Sequence, residues 1–315
     1  MRAFIRLSRL KFLAGGFVGG GFGTAIAAYE RGSVGWGTFA LAQMTITALH
    51  LMTHYANDYF DRHADVRATR TPYSGGSGTL VDGSLPAVVA LRAALVAAAL
   101  GAAGIAALAF LAQRPVAALI GCAIAALAWA YSAPPLRLLA RGLGELDSAL
   151  VVGILVPLCT FAAQGSSPDA RAFTSTLPGA AAMLAMMLAV EYPDLAADTA
   201  GGKANLVVRL GALRAQPLGV ASVAAAYALL ATAAAAGAPP AFVVFDALSL
   251  PLGIGLARTF VGRCRADRIF DEALAARGVA FFFVVALYGL LAYGVAPHPQ
   301  AASATNRRTV AVLAA

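Results

Sequence analysis

The sequence predicts an all-α integral membrane bundle of about nine transmembrane helices. Three observations lead there. Of the 315 residues, 60% are hydrophobic and only 12% charged, whereas a soluble domain carries about 25% charged residues. Apolar runs recur along the whole chain, each near the roughly 20 residues that a helix needs to cross a bilayer. Lys and Arg gather in alternate connections between those runs, as the positive-inside rule describes.

The runs cover about 11–29, 36–57, 86–111, 115–132, 144–164, 173–192, 216–236, 239–257 and 277–296. The first is rich in glycine and reads as a spanning helix rather than a cleavable leader. Gln113-Arg114-Pro115 divides the third run from the fourth, and Gly237-Ala238-Pro239-Pro240 divides the seventh from the eighth, both with residues that interrupt a helix. Residues 1–296 are expected to form one transmembrane domain and 297–315 a loose tail. With the N-terminus in the cytoplasm, seventeen basic residues fall on the inner side and five (Arg31, Arg114, Arg171, Arg307 and Arg308) on the outer side. That bias favours an odd number of spans. It also places the two long inner connections, 58–85 and 193–215, on the cytoplasmic side of what is expected to be a bacterial inner membrane. The net charge of +8 is therefore a topology signal, not a nucleic-acid surface. Cys122, Cys159 and Cys264 have no paired or metal-binding spacing.

Those two connections open with the chain's most informative residues. The first holds Asn57-Asp58-Tyr59-Phe60-Asp61 and Asp65; the second holds Glu191-Tyr192-Pro193-Asp194 and Asp198. Asp58, Asp61 and Asp65 step by three and then four, as do Glu191, Asp194 and Asp198. On a helix such steps put three carboxylates on one face. Each set is followed five residues later by a cation, Arg70 or Lys203. Like charges stacked this way repel unless something positive lies between them. Mg²⁺ suits the place, because it takes oxygen ligands and is commonly shared between carboxylates and a substrate phosphate. Either set alone also reads as a solvated helix end or a cap; two sets with one spacing on one membrane side favour a metal-bridged diphosphate site.

Other residues have two readings each. Tyr73-Ser74-Gly75-Gly76-Ser77-Gly78 is either a phosphate-cradling loop or a flexible one. Tyr131-Ser132-Ala133-Pro134-Pro135-Leu136-Arg137 ends the fourth run, and Arg137 either reaches a diphosphate or anchors the interface beside Tyr131. His54 and His63 flank the first acidic set, and His63 either relays a proton or is incidental. The basic stretch around Arg263, Arg265 and Arg268 reads as a topology signal beside anionic lipid.

Taken together, Asn57-Asp58-Tyr59-Phe60-Asp61 with Asp65, the Pro134-Pro135-Leu136-Arg137 turn, Asp194 and Asp198, and Gly202-Lys203 with Leu206-Val207-Val208-Arg209-Leu210-Gly211 resemble the UbiA-type intramembrane prenyltransferase superfamily. The wording is most similar to its menaquinone branch, which prenylates 1,4-dihydroxy-2-naphthoate. The second set departs from the family pattern at Glu191 and Pro193, and Lys203-Ala204-Asn205 replaces a Lys-Arg-Thr type of run. The resemblance implies a helical bundle around a central cavity and a Mg²⁺-bound polyprenyl diphosphate. The implied metal ligands are Asp58, Asp61, Asp65, Glu191, Asp194 and Asp198, with Asp58, Asp61, Asp194 and Asp198 central to catalysis. Asn57, Arg70, Tyr131, Arg137 and Lys203 are the implied substrate-binding residues. The implied acceptor is a small aromatic quinone precursor; 4-hydroxybenzoate, a chlorin, haem or a glycerol lipid are the alternatives within the family. Outside it, an ion-coupled transporter would also carry intramembrane acids, but near the midplane on broken helices rather than at helix ends.

Overall fold

The computed structural model describes residues 2–66, 73, 76–262 and 268–299, and among them all regular structure is helical. A short helix α1 (Arg2–Ser8) turns at Arg9 into α2 (Leu10–Arg31). Arg9 makes that elbow in the left-handed region, φ 44° and ψ 48°, a conformation uncommon for a residue with a side chain. The long helix α3 (Trp36–Asp65) follows, then α4 (Ala87–Ala106) with a wider last turn over Ala107–Leu111. Pro115 opens α5 (Pro115–Ala130) at a first-turn position, where its missing N–H is no loss. Helices α6 (Gly144–Leu150) and α7 (Val156–Ala163) are joined by a wide turn over Val151–Leu155. Asp169 caps α8 (Ala170–Glu191) by accepting from the Ala172 N–H at 2.7 Å. Two short helices, α9 (Leu195–Gly201) and α10 (Leu206–Leu210), lead into α11 (Ala212–Ala235). The pair α12 (Pro240–Ala247) and α13 (Leu250–Gly262) is bent by 46°, and α14 (Arg268–Val295) closes the bundle.

The nine expected runs correspond in position to helices, yet among the described residues six helical stretches, α6 and α7 counting as one, are long and apolar enough to cross a membrane, or seven with the bent pair. The shortfall has local causes. Helix α5 has only 16 residues. Helix α3 has 30, but Gln43, His50, His54 and several threonines dilute its apolar character. The architecture is that of a multi-pass membrane protein.

Buried side chains divide the bundle into two halves. Leu49, Met52 and Ile124 anchor one core between α3, α4 and α5; Leu188, Phe260 and Phe281 anchor another between α8, α11, α13 and α14. Helix α2 runs between them and packs Phe22 on Phe242 and Tyr293. It passes α7 at backbone contact: a Cβ on Gly23 would lie 1.8 Å from the Pro157 carbonyl oxygen, so only glycine fits there. Between the halves α2, α3, α5, α6, α8 and α14 enclose a cavity of about 450 Å³.

Candidate active site

Helix α3 reaches the mouth of this cavity and keeps Asp58, Asp61 and Asp65 on one continuous helix, all buried. Burial of three carboxylates demands partners, and each has its own. Asp58 accepts from the Arg9 guanidinium, the Ser77 hydroxyl and, at 3.3 Å, the Ser77 N–H. Asp61 accepts from Asn57 Nδ2 at 2.8 Å, and the same amide donates to Ser132 Oγ at 3.0 Å, tying α3 to the end of α5. Asp65 lies under Gly76, where an added Cβ would come within 2.5 Å of its Oδ2. That glycine, at φ 69°, lets the loop backbone close over the acid.

The second acidic stretch does not repeat this geometry. Helix α8 ends at Glu191, and Pro193 lies in the turn that follows. Asp194 takes the N-cap position of α9, and Asp198 falls within its first turn. The expectation of three carboxylates on one helical face is thus corrected for this stretch, because proline cannot supply the N–H that would carry α8 onward. Glu191 turns inward against Glu145, whose Oε1 accepts the Leu206 N–H at 2.5 Å and so caps α10. Asp198 turns towards α3 and accepts from Asn205 Nδ2 at 2.8 Å.

Lys203 joins the two stretches. Its Nζ lies 3.2 Å from Asp61, 3.8 Å from Asp65 and 3.7 Å from Asp198. Burial opposes the ammonium, but the three carboxylates outweigh it and raise its pKa above the usual lysine value. Burial likewise pushes Asp65 and Asp198 upward, with the nearby ammonium opposing the shift. Burial lowers the Arg9 pKa against the pull of Asp65 and Asp61.

Among the described residues, no three His, Cys, Asp or Glu side chains converge on a common metal position. The donor set still fits a hard divalent cation. It is all oxygen, and Lys203 shows that a positive charge settles between acids contributed by both stretches. Tyr131, Asn57, Asp65, Glu191, Asp194 and Lys203 all line the cavity. Arg137 does not; it is exposed on a turn with φ 45°. Arg70, Ser74 and Gly75 lie outside the described residues. Below the polar mouth the walls are apolar, formed by Ile46, Leu49, Ile124, Val152, Met186 and Phe282 among others.

Several site residues were not singled out by the sequence. Arg9 reads there as one topology charge among many, and only the elbow brings it to Asp58. Glu145 and Asp147 sit in the fifth run with no spacing to mark them. His50 and His54 did leave a signal: with Asp58 they step by four and four, so the acidic stripe of α3 continues inward as two imidazoles.

The profile of the UbiA prenyltransferase family matches residues 18–285. The 1,4-dihydroxy-2-naphthoate octaprenyltransferase of Bacillus subtilis (strain 168) is 32% identical over 148 residues, a stretch that spans just 46% of this chain and 46% of that protein. Among solved structures, a UbiA homolog from Archaeoglobus fulgidus bound to GPP and Mg²⁺ superposes with a TM-score of 0.66 at 15% identity, covering 92% of this chain and 100% of that one. A digeranylgeranylglyceryl phosphate synthase structure superposes with a TM-score of 0.64 at 13% identity, covering 93% and 98%. At these identities the two structures share the fold.

Proposed function

Since the chain belongs to the UbiA prenyltransferase family, we propose that it transfers a prenyl group from a polyprenyl diphosphate to an aromatic acceptor of the 1,4-dihydroxy-2-naphthoate type. One observation carries this reading: acids from two distant stretches meet two cations at the mouth of an apolar cavity. A polar mouth suits a diphosphate and an apolar interior suits its hydrocarbon chain, where each buried CH₂ contributes about 0.8 kcal/mol. The name of the Bacillus subtilis relative supports the acceptor class.

Asp58, Asp61, Asp65, Asp194 and Asp198 would hold Mg²⁺, with Glu191 in support. When bound, the ion supplies positive charge that stabilises the departing diphosphate. Lys203 and Arg9 bind the same group with charge-assisted hydrogen bonds, and Arg70 is assigned to it as well. Asn57 orients Asp61. The apolar walls keep water from the allylic carbon as its bond to oxygen breaks, and the electron-rich ring carbon of the acceptor takes its place. The same acids argue against an ion-coupled transporter, since they sit at helix ends beside cations and not at mid-helix breaks.

The basic bias of the inner connections supports a cytoplasmic mouth in a bacterial inner membrane. Single cysteines at Ser77→Cys and Ala204→Cys are expected to react only with reagents applied from the cytoplasmic side. For activity, membranes bearing the protein are incubated with labelled geranylgeranyl diphosphate, Mg²⁺ and a panel of acceptors. Prenylated naphthoate product that disappears with excess EDTA is the expected result. Full turnover in EDTA would overturn the metal assignment, and product on none of the acceptors would overturn the transferase itself.

A further inference from the structure

Helix α3 carries His50, His54 and Asp58 at steps of four, so the imidazoles lie about one and two turns, each about 5.4 Å, inward from the acids. Both line the cavity. Their ring centroids are 4.6 Å apart, and Phe12 stands edge-on to His54 at 6.3 Å. His54 Nδ1 lies 3.0 Å from the Ser8 carbonyl oxygen. A carbonyl only accepts, so Nδ1 carries the hydrogen, and in the neutral ring Nε2 is left as the acceptor. Ser8 is itself fixed, with its hydroxyl 2.9 Å from the Phe4 carbonyl oxygen and 2.8 Å from the Tyr55 hydroxyl. Among the described residues no protein donor is placed on Nε2. The fold therefore holds one imidazole in one tautomer and leaves its lone pair available, a turn below the diphosphate-binding mouth.

We propose that His54 takes the hydroxyl proton of a phenol-like acceptor seated below the mouth, with His50 and Phe12 as the flat wall that receives its ring. The inference rests on the prenyl-transfer reading. The acceptor O–H breaks and its proton moves to Nε2. The ring carbon forms the new C–C bond as the allylic C–O bond breaks, its electron pair leaving with the diphosphate. The ring hydrogen at that carbon then departs as a proton to diphosphate, and the imidazolium returns its own proton to the acceptor oxygen. A phenolic hydroxyl, with a pKa of about 10 as in tyrosine, gives up its proton far more readily than an aliphatic alcohol. The pair thus selects a hydroxylated aromatic ring over a glycerol-type acceptor. Asp147 of α6, which also lines the cavity, is the competing base.

His54→Asn retains a donor for the Ser8 carbonyl and removes Nε2; His54→Gln retains a distal oxygen without basicity. Both variants, and Asp147→Asn, are compared with the wild type for geranylgeranyl diphosphate affinity and for transfer to phenolic acceptors of graded acidity. The expected result is diphosphate affinity within about twofold and a transfer rate lowered roughly 100-fold or more in both His54 variants, the scale of general base catalysis. That deficit is expected to shrink as ring fluorination makes the acceptor more acidic, a trend that a merely structural role would not produce. A deficit independent of acceptor acidity, one that follows Asp147 instead, or loss of diphosphate binding in both His54 variants overturns the proposal. A wild type that binds the diphosphate but prenylates no hydroxylated aromatic overturns the acceptor class and the role of His54 with it, and leaves the diphosphate site standing. A wild type that binds no diphosphate overturns the transferase reading beneath it.

Discussion

The two acidic stretches are alike in spacing and unlike in structure. Asp58, Asp61 and Asp65 stay on one unbroken helix, where Asp65 lines the cavity and Asp58 and Asp61 are held by the lining residues Arg9, Ser77, Asn57 and Lys203. Glu191, Asp194 and Asp198 are spread over the end of α8, the cap of α9 and its first turn. One proline between them separates the two outcomes. The first stretch offers a rigid row. The second is a folded connection that sends Asp198 to α3 and Glu191 to Glu145. Equal spacing therefore predicts equal geometry only where the helix continues, and the residues that interrupt it deserve equal weight in reading such a motif.

Activity can test whether the two stretches are equal in function despite this. The largest loss is expected from Asp61→Ala, since Asp61 contacts both Asn57 and Lys203; turnover in detergent should fall roughly 100- to 1000-fold, the scale of one lost charge-stabilising contact in a transition state. Asp194→Ala should fall by a similar factor if both stretches hold metal. Near-normal turnover there, with Asp61→Ala inactive, would leave the second stretch a helix end and nothing more. Lys203→Ala is expected to be milder: loss of one charge-assisted hydrogen bond, about 1.5–3 kcal/mol, weakens diphosphate binding by about ten- to 100-fold, read as a rise in Kd. The smallest change is expected from Glu191→Gln, within about threefold in rate, because its carboxyl faces Glu145 and not Lys203. A loss as large as that of Asp194→Ala would make Glu191 a principal metal ligand and not a supporting one. Thermal unfolding run beside each assay separates these effects from misfolding.

Much of the fold was legible in the sequence because a bilayer imposes simple rules on length and apolarity. The helices of the apolar runs follow from such rules, and the shared face of the acids on α3 follows from their three-and-four spacing. The number of self-sufficient spans did not, since α5 falls short in length and α3 in apolar composition. Arg9 was illegible for another reason. Nothing in Ser8-Arg9-Leu10 marks a left-handed elbow, and its contact with Asp58 bridges 49 positions of chain. Glu145 is likewise paired across 61 positions with Leu206. Local pattern reading has no access to pairs set by tertiary packing. The histidine ladder lay between these cases, visible once the acid spacing is continued towards the membrane.

The elbow at Arg9 has a thermodynamic consequence. Neighbouring peptide units are planar, and their Cα atoms stand about 3.8 Å apart, so a backbone shift that re-aims Arg9 at the mouth also re-aims the Ser8 carbonyl beneath His54. Two ligands that meet at one dipeptide are linked. If the diphosphate moves the elbow on binding, it changes the affinity for the acceptor, and by reciprocity the acceptor changes the affinity for the diphosphate by the same factor. The elbow would then make binding of the two substrates cooperative, and titrating each ligand in the presence and absence of the other measures that factor from both directions.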